Sequence, residues 1–122
     1  MKEILLQTKL TLSVAESCTG GELSRLITSV SGSSKYFLGG IIPYNYHKKI
    51  EILGVSEQTI LKKTVVSEEV AQEMSLGCQN LFKTDISVST TGVSGPNSDE
   101  FNNEIGTVFY SVRIKDYEKT NR

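Results

Sequence analysis

Tryptophan is absent from this 122-residue chain, and cysteine, methionine and proline occur only twice each. Two cysteines, Cys18 and Cys78, cannot make a disulfide framework. With a single histidine, His47, they also fall short of a zinc ligand set, so no metal and no other cofactor is expected. Neither sign of charge dominates, with 13 Lys+Arg against 14 Asp+Glu and a formal net charge of −1. A nucleic-acid binder or a polybasic membrane-surface protein would show a basic stripe, so neither partner is expected. The apolar runs are a few residues long, far from a bilayer span. Residues 1–7 lack the apolar core and cleavage site of a signal peptide, which makes the cytoplasm the expected location. No repeat, low-complexity run or Pro-rich linker interrupts the chain, and its length fits one domain over residues 1–122.

Hydroxyls are what the chain has in quantity. Ser and Thr together number 26, many of them beside glycines. Such clusters either hydrogen-bond a polar ligand or cap helices and close turns, and composition does not separate the two. The hydrophobic pattern is clearer. Leu10-Thr11-Leu12-Ser13-Val14 alternates with period two, as a strand does. After Gly20-Gly21, Leu23, Leu26, Ile27 and Val30 fall on one helix face. Residues 36–42 read as a buried strand that exits at Pro43. A short helix over 48–53 stops at Gly54, and Ser56 is placed to cap a second over 57–61. Ser67-Glu68-Glu69 opens a helix whose stripe of Ala71, Met74, Cys78 and Leu81 makes Cys78 a packed thiol. Strands follow at 86–89 and 106–112. Alternating strands and helices predict a layered α/β domain.

Three segments could carry chemistry. In Ala15-Glu16-Ser17-Cys18-Thr19-Gly20-Gly21, Ser17 lies on a strand-to-helix turn. Free N–H groups at the helix start would suit an anion or a developing oxyanion, and the two glycines would let a ligand approach the backbone. Alternatively, Ser17 or Thr19 is only the helix N-cap. A nucleophilic serine needs a base. His47 sits in a polar stretch without a partner acid and reads as a surface residue, and Cys18, lacking a His partner, ranks below Ser17 as nucleophile. Tyr44 and Lys49 follow a buried strand, where α/β folds gather site residues. A partly buried lysine could take the serine proton with the tyrosine relaying or orienting it; equally, Lys48 and Lys49 could be solvated charge. The third segment, Thr90-Thr91-Gly92-Val93-Ser94-Gly95-Pro96, follows a strand and could wrap a phosphate or sugar.

Taken jointly, these segments resemble the C-terminal domain of the competence/damage-inducible protein CinA, a family that also occurs alone as nicotinamide-nucleotide amidase. The resemblance rests on the heptapeptide at 15–21, then Gly32-Ser33-Ser34, Tyr36-Phe37, Gly39-Gly40-Ile41, Tyr44, Lys49-Ile50 and Leu53-Gly54-Val55. Val66-Ser67-Glu68-Glu69-Val70-Ala71, Thr91-Gly92, Gly95-Pro96 and Gly106-Thr107-Val108 continue it in order. It implies a three-layer α/β/α sandwich and hydrolysis of the carboxamide of nicotinamide mononucleotide to nicotinate mononucleotide and ammonia. Ser17 would be the nucleophile, with Lys49 and Tyr44 assisting proton transfer. The backbone after Ser17 would serve the oxyanion. Thr19, Gly20, Gly21, Ser33, Thr91, Gly92 and Gly95 make up the expected substrate-binding set.

The chain departs from the family at Asn45-Tyr46-His47, where Ser-Asn is usual, and at Asn97-Ser98-Asp99, where Asp-Gly-Gly is usual. It also stops where family members continue with a further strand and a long helix, so one sheet face is expected to lie open and a homo-oligomer is expected to cover it. Two other readings stand beside the amidase: a nucleotide-binding or interaction module without turnover, and an amidase with another substrate.

Overall fold

The computed structural model describes all of residues 1–122. Its sheet has five strands, β1 (Leu12–Ala15), β2 (Phe37–Ile41), β3 (Ile86–Gly92), β4 (Val108–Ile114) and β5 (Tyr117–Asn121), in the order β2-β1-β3-β4-β5. β1 runs parallel to both β2 and β3, whereas β4 and β5 are antiparallel additions. The helices are α1 (Lys2–Thr8), α2 (Glu22–Thr28), α3 (Tyr46–Leu53), α4 (Glu57–Lys63) and α5 (Glu68–Phe82), with a single 3₁₀ turn over Ser33–Lys35.

Side-chain alternation along the strands builds the layers. Leu12 and Val14 point to one face, where they pack with Leu5 of α1, Ile27 of α2 and Tyr36. Ala15 points to the other and joins Leu53, Val55, Ile60, Val70, Met74 and Cys78. This is the expected three-layer α/β/α arrangement in a single domain. Apolar contacts fix the first face, but hydroxyls dock α5 on the second: Ser87 Oγ donates to the Ser75 carbonyl and Ser89 Oγ to that of Ala71, both at 2.6 Å. Part of the hydroxyl excess is therefore structural. Gly77 belongs to the same docking, because a Cβ there would lie 1.9 Å from the Leu53 carbonyl oxygen. Only glycine lets α5 approach the end of α3 so closely.

Several expected elements shift. Residues 36–42 are not a fully buried strand: β2 is a sheet edge with Leu38 51 % exposed, and only its ends reach the two cores, Phe37 on the Leu12 side and Ile41 on the Ala15 side. α2 ends at Thr28, short of Val30, and Leu26 lies on its exposed side. Ser67 caps α5 by accepting from the Val70 N–H, as its sequence predicts, but Leu81 faces outward while Val70 and Ser75 face inward. The Ser56 hydroxyl makes no cap bond, and its N–H donates instead to Glu73 Oε1. The polar tail at 117–121 forms the unforeseen β5. On the α1/α2 side, Tyr110, Ile114 and Tyr117 of β4 and β5 are exposed. No helix is long and apolar enough to cross a membrane.

Candidate active site

The sheet places its working end at the carboxyl ends of β1 and β3. The chain leaves β1 for β2 on one side and returns to β3 on the other, so a crevice opens between them. Beyond the end of β1 the alternation continues, sending Glu16 toward α2 and Ser17 toward α3. Both side chains are buried.

Ser17 meets Lys49 there. Lys49 Nζ donates to Ser17 Oγ at 2.9 Å, to the Pro43 carbonyl at 3.0 Å and to the Tyr44 carbonyl at 3.3 Å. Asn45 starts α3 by accepting from the His47 N–H, which sets the helix phase and turns Lys49 inward to 2 % exposure. Burial pushes its ammonium down from 10.5 to about 8, with the neighbouring Cys18 opposing the drop. A neutral amine has two N–H donors and one lone pair. The two carbonyls can hold both donors, leaving the lone pair directed at the Ser17 hydroxyl.

The turn after Ser17 differs from expectation. The α2 N-terminus is not open to an anion, because Glu16 already occupies it. Its carboxylate accepts from the Gly21, Leu23 and Ser24 N–H groups and from the Thr19 and Ser24 hydroxyls. Burial works against this charge, but the bonds from Ser24, Thr19 and Leu23 outweigh it and hold the carboxyl below its ordinary range. Gly20 and Gly21 are needed for their φ values of 57° and 102°, and they do not line the cavity. Thr19 lies in the same hydrogen-bond network, outside the cavity. Ser33 belongs to the 3₁₀ turn before β2, also away from it.

The N–H groups of Cys18 and Thr19 have no oxygen acceptor within the protein. Both lie near the Cys18 sulfur, where they and the Lys49 charge partly offset the burial that raises that thiol. A raised thiol beside a lowered lysine supports Ser17 over Cys18 as nucleophile.

A cavity of about 380 Å³ opens over the pair. Tyr44, Tyr46 and Asn45 form one wall, and Val65 and Val66 another. Thr91, Gly92 and Gly95 line it as the sequence predicts, and the loop through Asn97, Asp99 and Glu100 closes it. Thr91 Oγ1 donates to the Val65 carbonyl, so its hydroxyl ties two walls together. Asp99 organises the loop by accepting from the Phe101 and Asn103 N–H groups and the Asn103 amide. Phe101 packs edge-on against Tyr46 at 6.0 Å. Tyr44 contributes its carbonyl to Lys49, while its side chain is 68 % exposed at the cavity rim.

Comparison with known proteins agrees with this architecture. The model of the CinA C-terminal domain matches residues 1–122. The chain belongs to the CinA C-terminal domain family. A CinA-like protein of Flavobacterium psychrophilum is 49 % identical over 110 residues, which cover 90 % of this chain and 26 % of that protein. One from Thermotoga maritima is 46 % identical over 109 residues, covering 89 % and 27 %. The chain thus spans about a quarter of the length of the curated relatives it matches. Crystal structures of CinA superfamily proteins superpose closely. That from Escherichia coli has a TM-score of 0.94 at 33 % identity over 98 % of this chain and 70 % of its own. That from Enterobacter cloacae gives 0.96 at 31 %, over 99 % and 72 %.

Residues missed at the sequence level are Glu16, Thr90, Asn45 and the Pro43 carbonyl. Glu16 had a usable signal: a carboxylate directly after an apolar strand needs donors, and the nearest free ones are the amides of the next helix. The others depend on tertiary contacts.

Proposed function

We propose that the chain is a serine amidase that hydrolyses the carboxamide of nicotinamide mononucleotide to nicotinate mononucleotide and ammonia. One observation carries the chemistry: a buried lysine of lowered basicity lies 2.9 Å from a serine hydroxyl at the base of a cavity. The resemblance to a family that includes nicotinamide-nucleotide amidase supports this choice of substrate. Tyr46 offers an aromatic wall to a flat pyridine ring, and the Gly92–Gly95 segment offers backbone to the nucleotide.

Ser17 Oγ attacks the carboxamide carbon while its proton passes to Lys49 Nζ. The carbonyl oxygen takes the negative charge, and the backbone N–H of Cys18, a residue that lines the cavity, is placed to meet it. Lys49 then returns the proton to the departing nitrogen, and ammonia leaves an acyl-Ser17 ester. Water, deprotonated by Lys49, cleaves the ester and restores Ser17. Tyr44 assists by holding Lys49 through its carbonyl, with its exposed hydroxyl at the rim facing substrate.

Ammonia release from nicotinamide mononucleotide, followed beside circular dichroism, tests this reading. Ser17→Ala is expected to keep the fold and reduce turnover by about 10³-fold or more. A Ser17→Ala protein with full turnover would refute the serine mechanism. Tight nucleotide binding without ammonia from the intact chain would replace it with the binding-module reading.

A further inference from the structure

Thr90 Oγ1 accepts from the Ser17 N–H at 3.4 Å and lies 2.9 Å from Thr19 Oγ1. Thr19 Oγ1 in turn donates to Glu16 Oε1 at 2.7 Å. The proton inventory gives this chain one direction. An ionised carboxylate only accepts, so the Thr19 proton goes to Glu16. The Thr19 oxygen is then the acceptor for Thr90, and the Thr90 oxygen the acceptor for Ser17. Every dipole points toward one buried charge, and aligned hydrogen bonds of this kind strengthen one another.

Glu16, Thr19 and Thr90 do not line the cavity, and none of their side chains hydrogen-bonds Lys49 or Ser17 Oγ. The chain reaches the site only through the Ser17 backbone amide. By drawing that amide toward the α2 side, it fixes the turn in which Ser17 Oγ faces Lys49.

We propose that Glu16, acting through Thr19 and Thr90, positions the nucleophile: a one-way hydrogen-bond chain anchors the Ser17 amide and thereby sets the serine–lysine geometry. The proposal rests on Ser17 being the nucleophile. It assigns no substrate contact to the three residues.

The test uses Thr90→Val and Thr19→Val, which remove the hydroxyl and keep the shape, together with Thr19→Ser, which restores it. Displacing a reacting atom by a fraction of an ångström is expected to lower kcat about 10- to 100-fold while KM stays within about twofold. Thr19→Ser is expected to recover most of the loss. The Thr19→Val/Thr90→Val double variant is expected to be no worse than the poorer single one, because one chain is broken once. Amide hydrogen exchange by NMR reads the same anchor without substrate, and Ser17 is expected to lose protection in both valine variants. Because Thr19 sits on a half-exposed turn, its variants carry the test if Thr90→Val does not fold. Unchanged kcat, a loss confined to KM, or Thr19→Ser as impaired as Thr19→Val would each overturn the proposal. If the intact chain releases no ammonia, it is the amidase reading that fails. The exchange data then decide positioning alone, and unchanged Ser17 protection overturns it.

Discussion

Replacing Lys49 by methionine should abolish turnover and make the protein more stable at neutral pH. Burial lowers the lysine from 10.5 to about 8, which at 1.36 kcal/mol per unit corresponds to about 3 kcal/mol of destabilisation wherever both folded and unfolded chains hold the proton. Methionine has a similar shape and no charge to desolvate. It leaves the Pro43 and Tyr44 carbonyls and Ser17 Oγ without their shared donor, a loss of about 1–2 kcal/mol. The net gain is about 1–2 kcal/mol at pH 7, or roughly 3–8 °C in Tm for a domain of this size.

The sign reverses with pH, which makes the effect diagnostic. Below about pH 8 the wild-type lysine is charged in both states and its full burial penalty is present. Between about 8 and 10.5 the unfolded chain holds the proton and the folded chain has released it, so wild-type stability climbs with pH. Above 10.5 both states are neutral and the penalty is gone. Urea denaturation of both proteins at pH 7 and pH 10.5 should show Lys49→Met ahead at the first and behind at the second, a swing of about 3 kcal/mol. Stability curves that stay parallel within about 0.5 kcal/mol across this range would refute the buried-lysine argument.

Two further outcomes follow from the same geometry. If neutral Lys49 is the base, kcat/KM should rise about tenfold per pH unit below pH 8 and level off above it, and a profile already flat below pH 7 would assign the base elsewhere. Gly77→Ala puts a methyl 1.9 Å from the Leu53 carbonyl oxygen, so α5 must move off α3, at a cost of about 3 kcal/mol or more by thermal or urea unfolding; a near-neutral change would mean that this helix contact is loose.

Periodicity carried the layers because each face of the sheet is sorted by alternation. Leu12 and Val14 go one way and Ala15 the other, which the apolar pattern around residues 10–15 foreshadows. It failed at β2, where an unbroken apolar run suggests burial on both faces. The run lies at a sheet edge, and edge or centre is a property of strand order that local sequence does not contain. The tail at 117–121 was legible only as polar, since β5 is an edge strand formed by pairing with β4.

The site divides in the same way. Ser17 and Lys49 could be named from motif and family, yet their meeting depends on two helix-level details: Asn45 setting the start of α3, and burial stripping Lys49 of solvent. Expectation erred most at the turn after Ser17. A strand-to-helix turn with two glycines looks like an anion site, because free amides and bare backbone are what an anion needs. Here the anion is Glu16, supplied by the chain itself, so the helix amides hold the turn. Thr19 was expected to face substrate for the same reason. Its partner Thr90 is 71 residues away in sequence, and nothing local to either threonine reveals that contact. A hydroxyl in such a turn therefore gets its place from what its proton points to: in this chain Thr19 points to a buried carboxylate rather than into the cavity.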